Sequence, residues 1–113
     1  KRIIARHDSY WRWEASMPEG SPTMALERGE KLLTPPAIWF QAHGDIMHDY
    51  KDVESSFDGN EPQRFCAAYR KAGGSIALEY IDMERQPGAS PDLSKCGPMF
   101  GQMVAFIERH VRA

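Results

Sequence analysis

From Pro35 to Val111 the apolar and polar positions fall into four runs with different periods. Ala37 to Ala42 carries β-branched and aromatic residues and no charge. It is bounded by prolines before and His-Gly-Asp after, which predicts a short strand buried on both faces, the kind usually found in parallel sheets. Residues 43–60 form a polar loop ending in a helix start, with Asn60 as N-cap, Glu61 near the positive end of the dipole and Pro62 in the first turn. The helix shows Phe65, Ala68, Tyr69 and Ala72 at spacings of three and four and stops at Gly73-Gly74, after Arg70 and Lys71. Ser75 to Ile81 puts Ile76, Leu78 and Tyr80 on one face and reads as a second strand. After a loop rich in Pro, Gly, Ser and Asp, Pro98 can begin a last helix with an apolar stripe of Met99, Phe100, Met103, Val104, Ile107 and Val111.

Strand, helix, strand, helix, with a connection long enough for a right-handed crossover, predicts an α/β chain with parallel strands. Two parallel strands alone make a poor sheet, so the pattern also predicts partners that this segment lacks. Upstream, residues 1–34 form a segment preceding the first strand, and 35–113 the core portion. Tyr10, Trp11 and Trp13 stand in the upstream segment, and Ser21-Pro22-Thr23 can start a short helix through Ala25, Leu26 and Leu33, stopped by Thr34-Pro35-Pro36. Trp11 and Trp13 are candidates to line a substrate pocket, with core packing as the other reading.

Composition narrows the function classes. At 113 residues the chain suits one small domain or part of one. Fourteen Lys+Arg against sixteen Asp+Glu, without a basic stripe, argue against nucleic acid as a partner. No apolar run approaches the ~18 residues of a membrane span, so the expectation is a soluble chain with no membrane partner, the cytoplasm being the favoured compartment. Cys66 and Cys96, thirty apart, make neither a zinc knuckle nor a disulfide framework and read as buried thiols. The chain opens on Lys1, and the expectation is that a segment upstream lies elsewhere.

Candidate chemistry gathers after the first strand. Asp45 sits just past its carboxyl end, where open parallel sheets bind ligands. A carboxylate there can hold an imidazole in one tautomer and stabilise the imidazolium formed when the histidine takes a proton. His43, Asp45, His48 and Asp49 also make an H-x-D-x-x-H-D cluster, whose donors suit zinc, iron or manganese. They serve equally well as loop polar groups, and the expectation is no metal and no cofactor. His110, near the end of the last helix, suits the negative end of that helix's dipole.

PPAIWFQAHGDIMHDY, then FCAAYRKAGGSIALEYID, a Pro-Gly-Ser-rich loop and MFGQMVAFIERH together resemble the C-terminal part of an α/β-hydrolase, in the esterase/lipase-like branch that includes acetyl- and carboxylesterases. The resemblance runs in order over residues 35–111. It implies a serine hydrolase of carboxylic esters in which Asp45 is the triad acid. The base is expected in the loop after the second strand, where Ala89 stands at the position of the expected histidine, as in an inactivated variant. The family's G-x-S-x-G nucleophile turn does not occur in this sequence. Gly73-Gly74-Ser75-Ile76-Ala77 approaches it in letters, but its Ser75 precedes a strand instead of following one. The resemblance therefore implies a partner, an N-terminal hydrolase segment carrying the nucleophile on a nicked or separate chain, and a small ester as substrate. The alternative is a non-catalytic binding or scaffold protein of the same fold. A third reading is a homo-oligomer that pairs sheet edges.

Overall fold

The computed structural model describes residues 17–82 and 97–111. The chain divides into two compact units, Lys1–Leu33 and Thr34–Ala113. In the first, helix α1 (Met17–Gly20) is followed by α2 (Pro22–Glu27). Ser21 caps α2, its side-chain oxygen accepting from the Met24 N–H, and Pro22 occupies the first turn. The expected run of this helix to Leu33 is not realised. The Gly29 and Glu30 N–H groups turn back to the Leu26 and Ala25 carbonyls, with Gly29 at a φ of 75°. That pairing satisfies the last carbonyls and ends the helix six residues early, leaving Leu33 exposed.

The second unit contains strand β1 (Ala37–Ala42), helix α3 (Glu61–Lys71), strand β2 (Ile76–Ile81) and helix α4 (Gly97–Val111). β1 and β2 pair in parallel, from Ala37 opposite Ile76 to Ala42 opposite Ile81, so the chain is a mixed α/β one. Partners in a parallel ladder share a face, which puts Trp39 and Gln41 with Leu78 and Tyr80. α3 covers that face: Trp39 meets Phe65 at 5.2 Å between ring centroids, and Phe65 meets Tyr69 at 5.6 Å. The buried positions of α3 are Pro62, Cys66, Ala68 and Tyr69, whereas Ala72, expected on the stripe, is exposed because the helix is already closing there.

β1 was expected to be buried on both faces, and it is only half-buried apart from one residue, Gln41. The cause is uneven cover. α4 lies against β1, yet none of its residues is buried, and Phe100, Val104, Ile107 and Val111 of its apolar stripe are exposed.

Helix α3 is closed at both ends by sequence-encoded caps. Asn60 Oδ1 accepts from the Gln63 N–H at 3.0 Å, while Gln63 Oε1 accepts from the Asn60 N–H at 3.1 Å. At the other end the Gly73 and Gly74 N–H groups return to the Arg70 and Tyr69 carbonyls. Gly73 takes a φ of 91°, and Gly74 is pressed by the Tyr69 ring, whose edge a Cβ there would overlap. The Tyr69 hydroxyl donates to the Pro35 carbonyl, and Arg70 donates to the Ile76 carbonyl at 2.8 Å. One helix terminus thereby holds the start of both strands.

Gly74→Ala is expected to destabilise the chain by about 1–3 kcal/mol through overpacking against Tyr69. In a double variant with Tyr69→Leu the two losses add to less than their sum, measured by urea unfolding.

Candidate functional site

The parallel register brings the carboxyl ends of both strands to one side, and the 43–60 loop leaves β1 there. Gln41, the last strand residue on the α3 face, is 3% exposed, and an amide so buried must find partners. Its Oε1 accepts from the Trp39 indole N–H at 3.1 Å. Its Nε2 points to the Ala42 carbonyl at 3.3 Å and to Asp45 Oδ2 at 3.5 Å. The strand's aromatic packing is thus tied to the first acidic side chain of the loop.

Asp45 gathers further contacts within its own turn. Gly44 takes a φ of 73°, which turns the chain sharply after β1. Asp45 Oδ1 accepts from the Met47 N–H at 3.1 Å, and its carbonyl accepts from the Asp49 N–H at 2.7 Å. The tight turn carries His48 back over the carboxylate, with Nδ1 2.8 Å from Oδ2. The His48 hydrogen bond is the main reason that the Asp45 carboxyl titrates below its ordinary 3.8, with the Met47 N–H and Gln41 assisting against partial desolvation. Asp45 is therefore ionised near neutral pH and accepts only.

The rest of the cluster is drawn elsewhere. Asp49 Oδ1 accepts from Asn60 Nδ2 at 2.5 Å and from the Tyr80 hydroxyl at 3.2 Å, and Asn60 Nδ2 also reaches that hydroxyl at 2.8 Å. Burial, with Asp49 adding to it, pushes the Tyr80 phenol up, so it stays a donor. The His43 ring stacks on Tyr80 at 4.9 Å, and its Nε2 lies 4.0 Å from Asp82 in an exposed pair of small energetic weight. The four side chains of the cluster thus divide in two: Asp45 pairs with His48, while His43 and Asp49 both go to Tyr80. Among the described residues no three His, Cys, Asp or Glu side chains are placed to hold a metal ion.

Farther along, the loop is fastened to α3 and to itself. The Glu61 N–H donates to the Tyr50 carbonyl at 2.8 Å, Arg64 reaches Asp52 at 3.4 Å and Glu61 at 3.2 Å, and Lys51 pairs with Asp58. Ile46 and Met47, ahead of these anchors, and Val53, among them, are exposed.

Ser75 lies at the amino end of β2, where its carbonyl accepts from the Ala37 N–H. Six residues of strand at ~3.3 Å each set it roughly 20 Å from the Asp45 end. Cys66 is buried and burial pushes its thiol up, which makes it a packing residue and not a nucleophile. Ala89, Trp11, Trp13 and Cys96 lie outside the described residues. Among the described residues no helix is long and apolar enough to cross a membrane.

The sequence singled out Asp45 but not its partners. Gln41 was visible as the one polar residue in an apolar strand, and His48 as the histidine three residues after the acid, brought back by a turn.

Two variants test this wiring. Asp45 has a lowered pKa in the folded chain, so its contribution to stability is complete above 3.8 and is lost as pH falls through the lower folded value. The stability gap between the wild type and Asp45→Asn is therefore expected at pH 7 and should narrow in urea unfolding as the pH is taken down from 3.8. Asn60→Ala removes a helix cap and the hydrogen bonds from Asn60 to Asp49 and Tyr80 together and should cost about 2 kcal/mol or more, beyond the ~1 kcal/mol typical of a cap alone.

No protein-family model, no curated protein and no solved structure matches this chain.

Proposed function

We propose that this chain is the C-terminal part of an α/β-hydrolase acting on carboxylic esters, with Asp45 as the acid that orients and charges an imidazole base. One observation carries the reading. In a parallel strand-helix-strand unit, Asp45 stands just past the carboxyl end of β1 with its carboxylate 2.8 Å from an imidazole Nδ1. A buried amide, Gln41, stands behind it. Placement beyond the carboxyl end of a parallel strand, a carboxylate held ionised and an imidazole on it are the parts that acyl transfer requires of this end of a sheet.

On this reading the serine nucleophile and the oxyanion donors come from an N-terminal hydrolase segment, a separate or nicked polypeptide that adds strands beside β1 and β2. The substrate is a small ester. The carboxylate stabilises the imidazolium while a hydroxyl proton is held on it, and the same proton passes to the departing alkoxide.

A second reading, a non-catalytic binding or scaffold protein of the same fold, is favoured by one feature. The line Phe100, Val104, Ile107 and Val111 on α4 is exposed, an apolar surface of the kind that partners cover.

Native mass spectrometry of the purified protein, followed by p-nitrophenyl acetate and butyrate cleavage assays, separates the two. The esterase reading expects a co-migrating polypeptide that carries a G-x-S-x-G turn, and ester cleavage lost on treatment with a fluorophosphonate. Stable association with a polypeptide lacking such a turn, without cleavage of either ester, would establish the binding reading.

A further inference from the structure

The resemblance looks for the base in the loop after β2, at position 89, but the imidazole on Asp45 comes from its own turn. We infer that His48 and Asp45 form a self-contained base dyad in which His48 Nε2 is the proton-accepting atom presented at the carboxyl end of the sheet. The assignment of esters as substrates rests on the function proposed above; the dyad itself does not.

Three features lead to it. First, the tautomer is dictated by the partner. An ionised carboxylate only accepts, so the 2.8 Å contact to Oδ2 requires the proton on Nδ1 and leaves the Nε2 lone pair free. Second, the two members differ in exposure as a base and its orienting group should: the Asp45 side chain is 30% exposed and the His48 side chain 71%. Third, the carboxylate is held from behind. The Met47 N–H fixes Oδ1, and the Gln41 amide, buried and locked by the Trp39 indole, approaches Oδ2 from the strand. The ring is therefore oriented by a group that is itself positioned by the core.

The chemistry expected of such an atom is proton transfer at an acyl carbonyl. A hydroxyl oxygen bonds to the acyl carbon as its proton passes to Nε2. The imidazolium, paired with Asp45, then returns that proton to the departing alkoxide as the carbon–oxygen bond breaks. The side chains between the two members, Ile46 and Met47, are exposed and apolar, a surface that suits an acyl group with a short hydrocarbon tail.

The test uses the full chain labelled with nitrogen-15. Long-range proton–nitrogen correlation spectra at neutral pH, with His48 assigned by its loss in His48→Asn, should show the Nδ1–H tautomer, and Asp45→Asn should shift the ring toward Nε2–H. Carbethoxylation by diethyl pyrocarbonate, followed by peptide mass mapping, should be several-fold faster at His48 in the wild type than in Asp45→Asn. The rate at His43 should be unchanged by that substitution. An Nε2–H tautomer in the wild type, or a His48 carbethoxylation rate indifferent to Asp45→Asn, would overturn the inference. In the ester assay of the protein associated with its nucleophile-bearing polypeptide, His48→Asn should fall at least ~100-fold below the wild type, the lower end of the usual range for losing a general base, with His43→Asn within about twofold. Equal rates for His48→Asn and wild type would overturn His48 as the base while leaving the ester reading in place. Absence of cleavage in every form would remove the ester reading and leave the dyad to be decided by the tautomer and the carbethoxylation rate.

Discussion

Parallel pairing of two six-residue strands is the constraint from which the rest of the second unit follows. Strands that run the same way cannot be joined by a hairpin, so the chain after Ala42 must travel back along the sheet before Ile76 can pair with Ala37. It does so through an eighteen-residue loop and an eleven-residue helix. The loop starts at the carboxyl end of β1 by necessity, and the polar residues that follow the strand are delivered to that end whatever they are used for. Asp45 and His48 owe their location to this topology and their mutual contact to the turn at Gly44.

The crossover is held by side chains that serve two elements at once. Tyr69 fixes the Pro35 carbonyl while its ring fills the space over Gly74, and Arg70 takes the Ile76 carbonyl. Gln41 connects the Trp39 packing to Asp45. Tyr69 and Gln41 are buried, so the loss of either would leave a donor or acceptor stranded as well as removing a contact, whereas Arg70 is exposed and its loss removes the contact alone. The backbone near the site is therefore ordered by the same residues that close the helix and pair the strands.

Much of this was legible in the sequence. Asn60, Pro62 and the Gly73-Gly74 pair announced the limits of α3, because caps are local chemistry read from two or three residues. The strands were legible from their apolar runs between turn residues, and the α/β class from their order. Burial was less so. The prediction that β1 is covered on both faces assumed neighbours that the described residues do not supply, and the extent of α2 was misread because Gly29 outweighed the apolar spacing that ran on to Leu33. In the site, Asp45 could be placed from its distance past the strand, but a partner three residues along in a turn is set by backbone angles that apolar periodicity does not encode. His48 was thus grouped with metal donors, although Asp49 in the same cluster is drawn away to Asn60 and Tyr80.

Asn60 ends one element and moors another: its Oδ1 closes α3 while its Nδ2 holds Asp49 and Tyr80. Fraying of the helix and release of the loop are for that reason a single event. The first turn of α3 and the segment around Asp49 are thereby coupled into one unit that opens with a single free energy.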